Sequence, residues 1–183
     1  LIDPLLFSEP SSIIGRCVDM LAGESVYGRT IYDHISTTMQ AVLAGYVVGV
    51  VAGCLLGFWL GRSAFLSKVL EPYILVFFAV PKIAIAPLFI IILGTGLQSK
   101  TAIVIMEVFF ILFYSTLRGV MQIKEDYIAL AKVMGAPPSV VLRRVLLPAT
   151  LPSVVGGLRM AVPFAVIGAI LGEYIASNQG IGW

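Results

Sequence analysis

Four stretches of the chain, 36–60, 70–93, 101–121 and 151–176, are strongly apolar and carry at most two charged residues each. A bilayer core about 30 Å thick is crossed by roughly 20 apolar residues in a helix, so each stretch is long enough for a membrane span. The remainder reads differently. Residues 1–35 form a polar lead-in in which Ile13, Ile14, Val18 and Leu21 recur at helical spacing, which fits either a short helix on the outer membrane face or an irregular lead-in. Residues 122–150 form a polar loop between the third and fourth spans. The expected fold class is an all-α membrane protein, a multi-span helical bundle.

The spans differ in what they place inside the membrane. Gly45, Gly49, Gly53, Gly57 and Gly61 follow one another every four residues in the first, a bare stripe against which another helix can pack closely. The fourth span repeats this spacing with Gly168 and Gly172. The second contains Pro81 and Pro87, each of which removes a backbone donor and clashes with the preceding turn. A break is expected there, and because freed backbone groups are tolerated only away from lipid, the second span is expected inside the bundle.

Composition agrees with lipid as the principal solvent: 59% of residues are hydrophobic, 12% are charged and the mean hydropathy is +1.01. The formal charge of +2 argues against a nucleic-acid partner. Its distribution sets an orientation. With 122–150 and the 61–68 turn in the cytoplasm, Arg62, Lys68, Arg118, Lys124, Lys132, Arg143 and Arg144 lie inside, and Arg16, Arg29 and Lys100 lie outside. Residues 1–35 are then extracytoplasmic. Cys17 and Cys54 suggest neither a disulfide framework nor a metal site. The opening Leu1-Ile2-Asp3-Pro4 shows no signal-peptide pattern and reads as a cut end.

The polar loop has an architecture of its own. Residues 125–134 suit a helix with Glu125 and Asp126 at its positive end, and Gly135 supplies the stop. Pro137 and Pro138 enforce the break, Ser139 is placed to cap a second short helix, and Pro148 and Pro152 punctuate entry into the fourth span. Two short helices set at an angle would form a knob for another protein to grip.

The order Gly135, Val145, Leu147, Pro148 resembles the cytoplasmic coupling loop of permeases in binding-protein-dependent ABC importers. Phe7-Ser8-Glu9-Pro10, His34 with Thr38, Gly45-Tyr46, Gly61-Arg62-Ser63, Pro81 to Leu88, Gly94-Thr95-Gly96 with Ser99-Lys100, and Gly180-Ile181-Gly182 extend the likeness along the whole chain, towards nitrate-, sulfonate-, taurine- and bicarbonate-type permeases. The resemblance implies a type I importer permease in the bacterial inner membrane, multi-pass and not itself an enzyme. Its expected partners are a separate ABC ATPase carrying ATP and magnesium, an extracytoplasmic solute-binding protein and a second permease copy. No cofactor is expected on this chain. The implied coupling residues are Glu125, Asp126, Ala129, Ala131, Gly135, Ala136, Val145, Leu147 and Pro148. Relatives carry one or two further terminal spans, so the resemblance implies a fragment lacking both. Ala129 stands where the family places its motif glutamate, and Ala41 where an arginine is frequent. Small anions are the implied cargo, with vitamin or pyrimidine precursors as the alternative within the same class.

Lys82, Glu107 and Glu173 are ionisable groups within spans, where each demands a partner or a wet cavity. Lys82 and Glu107, with Pro81 and Pro87, are expected along a solute path, with an interfacial or purely structural pair as the alternative, Lys82 and Glu107 within reach of each other, and Glu173 at the outer mouth or interface. His34 is read as a capping or interface group.

Three other classes fit less well. Gly94-Thr-Gly-Leu-Gln-Ser-Lys100-Thr101 misses a phosphate-binding loop because Ser99 replaces the required glycine and the turn joins two membrane helices. A membrane enzyme would need convergent catalytic residues that one histidine and one intramembrane cysteine do not supply. An ion-coupled carrier has no use for the helix–glycine–helix loop.

Overall fold

A computed structural model describes residues 10–23, 28 and 30–182. Of the lead-in, Phe7-Ser8-Glu9, Arg29 and the side chains of Ile13, Arg16, Cys17 and Leu21 lie outside the described residues. The short helix of the first reading is present as α1 (Pro10–Leu21), with Ile14 and Val18 exposed on one stripe.

The first span is α2 (Ile31–Gly61), which begins where Thr30 N–H donates to the Asp33 carboxylate at 2.9 Å. At 1.5 Å per residue it is roughly 46 Å long, so its first turns stand beyond the hydrocarbon core. The third span is α5 (Leu97–Met121), and it is the centre of the bundle. Along α2, a Cβ on Gly45 would meet Val104 at 2.5 Å, on Gly49 Val108 at 2.8 Å, on Gly53 the Phe109 carbonyl at 2.7 Å, on Gly57 the Phe113 carbonyl at 2.5 Å and on Gly61 Val120 at 2.7 Å. Contact positions rise together in both helices, so α2 and α5 run parallel. The glycine stripe is therefore a packing face, and it lets one backbone lie on the other.

The fourth span, α8 (Leu147–Ala176), packs on α5 in the opposite direction. Gly157 faces Ser115, Gly168 faces Glu107, and Gly172 faces Ile103. Tyr46 on α2 donates its hydroxyl to the Leu158 carbonyl at 3.0 Å, tying the first span to the last. Val42, Val104, Val108, Ile111, Leu112, Ala161, Ala165 and Ala169 form the core where the three helices meet. Val47, Val51, Leu55 and Trp59, on the face of α2 away from the stripe, are 52–66% exposed. An apolar surface of that extent is one that lipid or another protein covers.

Two expectations are corrected. The stretch 70–93 is not one continuous helix: the break its prolines predict divides it into α3 (Ala64–Ala79), a 3₁₀ turn at Lys82–Ile85 and α4 (Ala86–Leu93), which together return the chain from one end of the parallel α2–α5 pair to the other. Among the described residues, three helical segments are long and apolar enough to cross a membrane: 31–61, 97–121 and the continuous 138–175. Nor is the broken segment inside the bundle, since Phe65, Tyr73, Val76 and Phe77 on α3 and Ile91 and Ile92 on α4 are 62–80% exposed. The break survives at the periphery because its polar groups are satisfied locally. Pro81 has no N–H to continue the helix, but its carbonyl accepts from Ala84 N–H at 2.9 Å, and Lys82 Nζ donates to the Phe78 carbonyl at 3.3 Å.

The second correction concerns the entry to the last span. Ser139 does not cap a separate helix; the extended residue before the turn is Pro137, and Pro138–Val141 is a single helical turn, α7. It runs through a π-helical stretch, Leu142–Leu146, directly into α8. Pro148 explains the wider turn, because its ring would clash with the carbonyl four residues earlier in a regular α-helix and it has no N–H to donate. Pro148 and Pro152 thus shape a continuous helix and do not interrupt it.

Candidate functional site

The two ends of this bundle carry the polar chemistry. The starts of α2 and α5 and the end of α8 lie together at one end, since α2 and α5 are parallel and α8 runs against them. The α2–α3 turn, the end of α5 and residues 122–146 lie at the other.

At the first end, Glu173 is completely buried. Its carboxylate is 3.5 Å from Lys100 Nζ, itself 1% exposed, and accepts hydrogen bonds from the Thr38 hydroxyl at 2.8 Å and from Gly182 N–H at 3.0 Å. Lys100 also donates to the Gln179 carbonyl. Thr38 Oγ1 accepts from Ile181 N–H at 3.0 Å, and His34 Nδ1 accepts from Gly180 N–H at 3.0 Å. Four side chains on three helices thereby hold the 177–182 segment across the end of the bundle. Gly180 has φ +122°, and a Cβ there would run into the Glu173 carboxylate, so this turn requires glycine. His34 is the interface group expected of it. Glu173 is sealed within this clasp and not at an open mouth. Composition and periodicity did not reveal the grouping of Lys100 and Thr38 with Glu173; the recurring positions His34-Thr38, Ser99-Lys100 and Gly180-Ile181-Gly182 were its only trace.

Within the membrane zone, Lys82 is half-buried with its ammonium 4.9 Å from the Phe78 ring centre and 5.7 Å from that of Phe110. Aromatic faces partly replace lost water around such a cation. Glu107 is half-buried on α5 against Gly168. No ion pair among the described residues joins the two. Pro81 and Pro87 flank the 3₁₀ turn that carries Lys82, both exposed.

At the opposite end, α6 (Glu125–Val133) has Glu125 and Asp126 in its first turn and no buried residue. Gly135, φ +78°, ends it: Ala136 N–H donates to the Ala131 carbonyl at 3.0 Å and Gly135 N–H to that of Lys132 at 2.9 Å. This pair of bonds is a Schellman stop, which needs a left-handed residue at that position. Tyr127, Leu130, Val133 and Met134 are 58–86% exposed. Between α6 and the start of α8 lies a groove of about 520 Å³, lined by Leu130, Ala131, Met134, Val145 and Pro148. The structure thus brings Ala131, Val145 and Pro148 together. Ala136 is half-buried, Leu147 is exposed on the first turn of α8, and Ala129 is exposed on α6.

These features define a helical membrane protein. Its fold matches that of the MetNI methionine ABC transporter in an inward-facing conformation, with a TM-score of 0.59 at 22% identity, covering 96% of this chain and 80% of that one. The chain belongs to the family described as binding-protein-dependent transport system inner membrane components, which its residues 45–183 match. It is 32% identical over 180 residues, 98% of this chain and 70% of the relative, to the formylaminopyrimidine transport permease protein ThiX of Halalkalibacterium halodurans. It is 27% identical over its whole length to 66% of the taurine transport system permease protein TauC of Escherichia coli. With the nitrate import permease protein NrtB of Synechococcus elongatus it shares 31% identity over 150 residues, 82% of this chain and 54% of that protein. The chain therefore spans between about half and 70% of the length of these curated relatives. It is an inner-membrane transport protein of this family.

Proposed function

We propose that this chain is the permease subunit of an ATP-driven importer, with residues 122–150 on the cytoplasmic face as the handle for a separate ATPase. The observation that carries this is α6, a helix with no fully buried residue: Leu130 and Val133 on it, and Met134 just past its end, are exposed beside the stop at Gly135. A soluble face of that character is costly unless another protein covers it. ATP and magnesium belong to that partner, and no cofactor to this chain. The continuous path from α7 through the π turn into α8 would carry a movement of the handle to the clasp at Glu173. The coupling role falls on Glu125, Asp126, Ala129, Ala131, Gly135, Ala136, Val145, Leu147 and Pro148, with Glu125 and Asp126 in place of a glutamate at Ala129.

A second permease copy would complete the solute path, and an extracytoplasmic binding protein would deliver solute to the end carrying the clasp. Lys82, with Pro81 and Pro87 on either side of it, and Glu107 on α5 border the path in this reading, and Glu173 closes its outer end. The Lys82 cation, bedded on two aromatic rings in the membrane zone, favours a small anion such as a sulfonate, taurine, nitrate or bicarbonate. The 32% identity to a formylaminopyrimidine permease favours a second reading, a pyrimidine or vitamin precursor, in the same class.

Two experiments test this. Gly135→Asp forces a side chain onto a left-handed residue and sets a charge in the handle; co-purification with the ATPase and ATP-dependent uptake are expected to be lost. Undiminished association and uptake in this variant, or a reporter fusion at Lys132 facing the periplasm, overturns the assignment. Uptake of a sulfonate, nitrate and pyrimidine panel decides between the cargo readings, and loss of anion uptake in Lys82→Met is expected under the first.

A further inference from the structure

The end of the bundle that carries α6 contains a cavity not accounted for by the handle. It measures about 390 Å³ and lies between the α2–α3 turn, the end of α5, α6 and α7. Arg62, Lys68 and Lys132 line it, with Glu125 the one acidic residue among its walls. All three cations are exposed, and no ion pair among the described residues engages them. Arg118, close by on α5, is by contrast committed to Glu71 at 2.7 Å. The cavity therefore carries a surplus of positive charge at the level where helices leave the hydrocarbon.

A second hollow begins at the same place. A groove of about 480 Å³ runs between α2 and α8, walled by Cys54, Leu55, Phe58, Trp59, Leu151 and Val154. Arg62 and Leu142 line both the cavity and the groove. From Arg62 to Cys54 the groove follows α2 for roughly 12 Å along the helix axis, towards the bilayer centre. Leu55 and Trp59 in its wall are 65% and 66% exposed.

We infer that Arg62, Lys68 and Lys132 bind the phosphate-bearing headgroup of an anionic phospholipid whose acyl chain lies in the groove between α2 and α8. The geometry matches such a molecule in both parts: a cationic chamber at the interface, adjoining at Arg62 an apolar groove that descends beside exposed apolar residues. Basic pockets between membrane helices at the cytoplasmic surface are suited to anionic headgroups, and each cation near the surface adds attraction. A free phosphate or nucleotide would use the chamber but leave the groove empty. The inference extends the function proposed above and takes from it only the leaflet concerned; binding itself is read on the permease alone, without the ATPase.

The full chain, purified and reconstituted into nanodiscs of phosphatidylglycerol and phosphatidylcholine mixed equally, is extracted, and its retained lipid is identified by native mass spectrometry. Phosphatidylglycerol is expected to be retained preferentially. Arg62→Gln and Lys132→Gln, which alter exposed side chains, are each expected to reduce that preference about fivefold, from the attraction of one cation near the surface. Leu151→Gln, which puts an amide in the groove, is expected to lower retention of phosphatidylglycerol with all three cations in place. Equal retention of the two lipids overturns the inference. So does displacement of bound lipid by millimolar inorganic phosphate with Leu151→Gln silent, which would make the chamber a site for a free anion. A photo-cross-linker at position 151 that captures a second protein copy or another segment of the chain, and no lipid, overturns it as well.

Discussion

At one end of the bundle His34, Thr38, Lys100 and Glu173 are each at most 6% exposed and locked to one another and to the 177–182 backbone. At the other end α6 has no fully buried residue, and Val133 on it and Met134 just past its end are 86% and 78% exposed. The contrast shows two uses of polar and apolar side chains in one small membrane protein. At the clasp, burying charge is tolerated because every partner is supplied, and among the described residues no buried side-chain nitrogen or oxygen lacks a hydrogen bond. At the handle, apolar groups are left uncovered at the membrane-distal surface, where only a partner can cover them. The clasp gives conformational definition; the handle gives a binding face.

The comparison is most severely tested by breaking the clasp. Glu173→Ala leaves Lys100 buried without its counter-charge, a change that costs about 3–5 kcal/mol at such sites. A large loss of stability is expected in detergent denaturation, and the double variant Lys100→Met with Glu173→Met should recover most of it. Full stability of the single variant would mean that the end is not closed as the structure has it. The next effect is steric. Gly57→Val places a Cβ 2.5 Å from the Phe113 carbonyl, and because backbone yields poorly, a loss of about 1–3 kcal/mol is expected. Gly156→Ala, on the same bundle with nothing within 4 Å of the added atom, is the matched control and should be neutral or slightly stabilising.

Smaller effects sharpen the difference. The Arg118–Glu71 pair, 2.7 Å apart but 40% and 28% exposed, resembles the clasp in chemistry and differs in burial. Glu71→Ala should cost only about 0.2–1 kcal/mol, the range of exposed ion pairs, and the loss should shrink with added salt. Val133→Asp belongs to the handle and should move stability by less than about 0.5 kcal/mol. It should nonetheless weaken capture of the ATPase in a pull-down, and a variant that unfolds instead would show that α6 contributes to the core.

Local pattern accounts for much of this architecture. The five-glycine stripe was legible as a close-packing face because four-residue spacing marks one side of a helix, and the first, third and fourth spans followed from apolar length. The stop at Gly135 was legible because a Schellman ending depends on one left-handed residue. The break near Pro81 was equally readable, but not where it packs: the segment lies at the periphery, with Lys82 turned back on the Phe78 carbonyl. The fusion of 138–146 with the last span escaped detection for a related reason, since proline ordinarily ends a helix and a π turn admits it.

Chain order alone thus determined the class of protein, a lipid-embedded helical bundle with a glycine-paved contact and a projecting polar hairpin, because each of those features is encoded within one or two turns. It did not determine that Thr38, Lys100 and Glu173 share one buried site, or that Arg62 joins a basic chamber to an apolar groove. The first grouping unites residues 62 to 135 positions apart, and the second brings Lys132 to Arg62 across 70 positions. They exist only because α5 lies parallel to α2 and antiparallel to α8, which brings distant charges to the same depth. Charge pairing falls off with distance in space and is indifferent to separation along the chain, so folding had to supply the neighbours before the chemistry became visible.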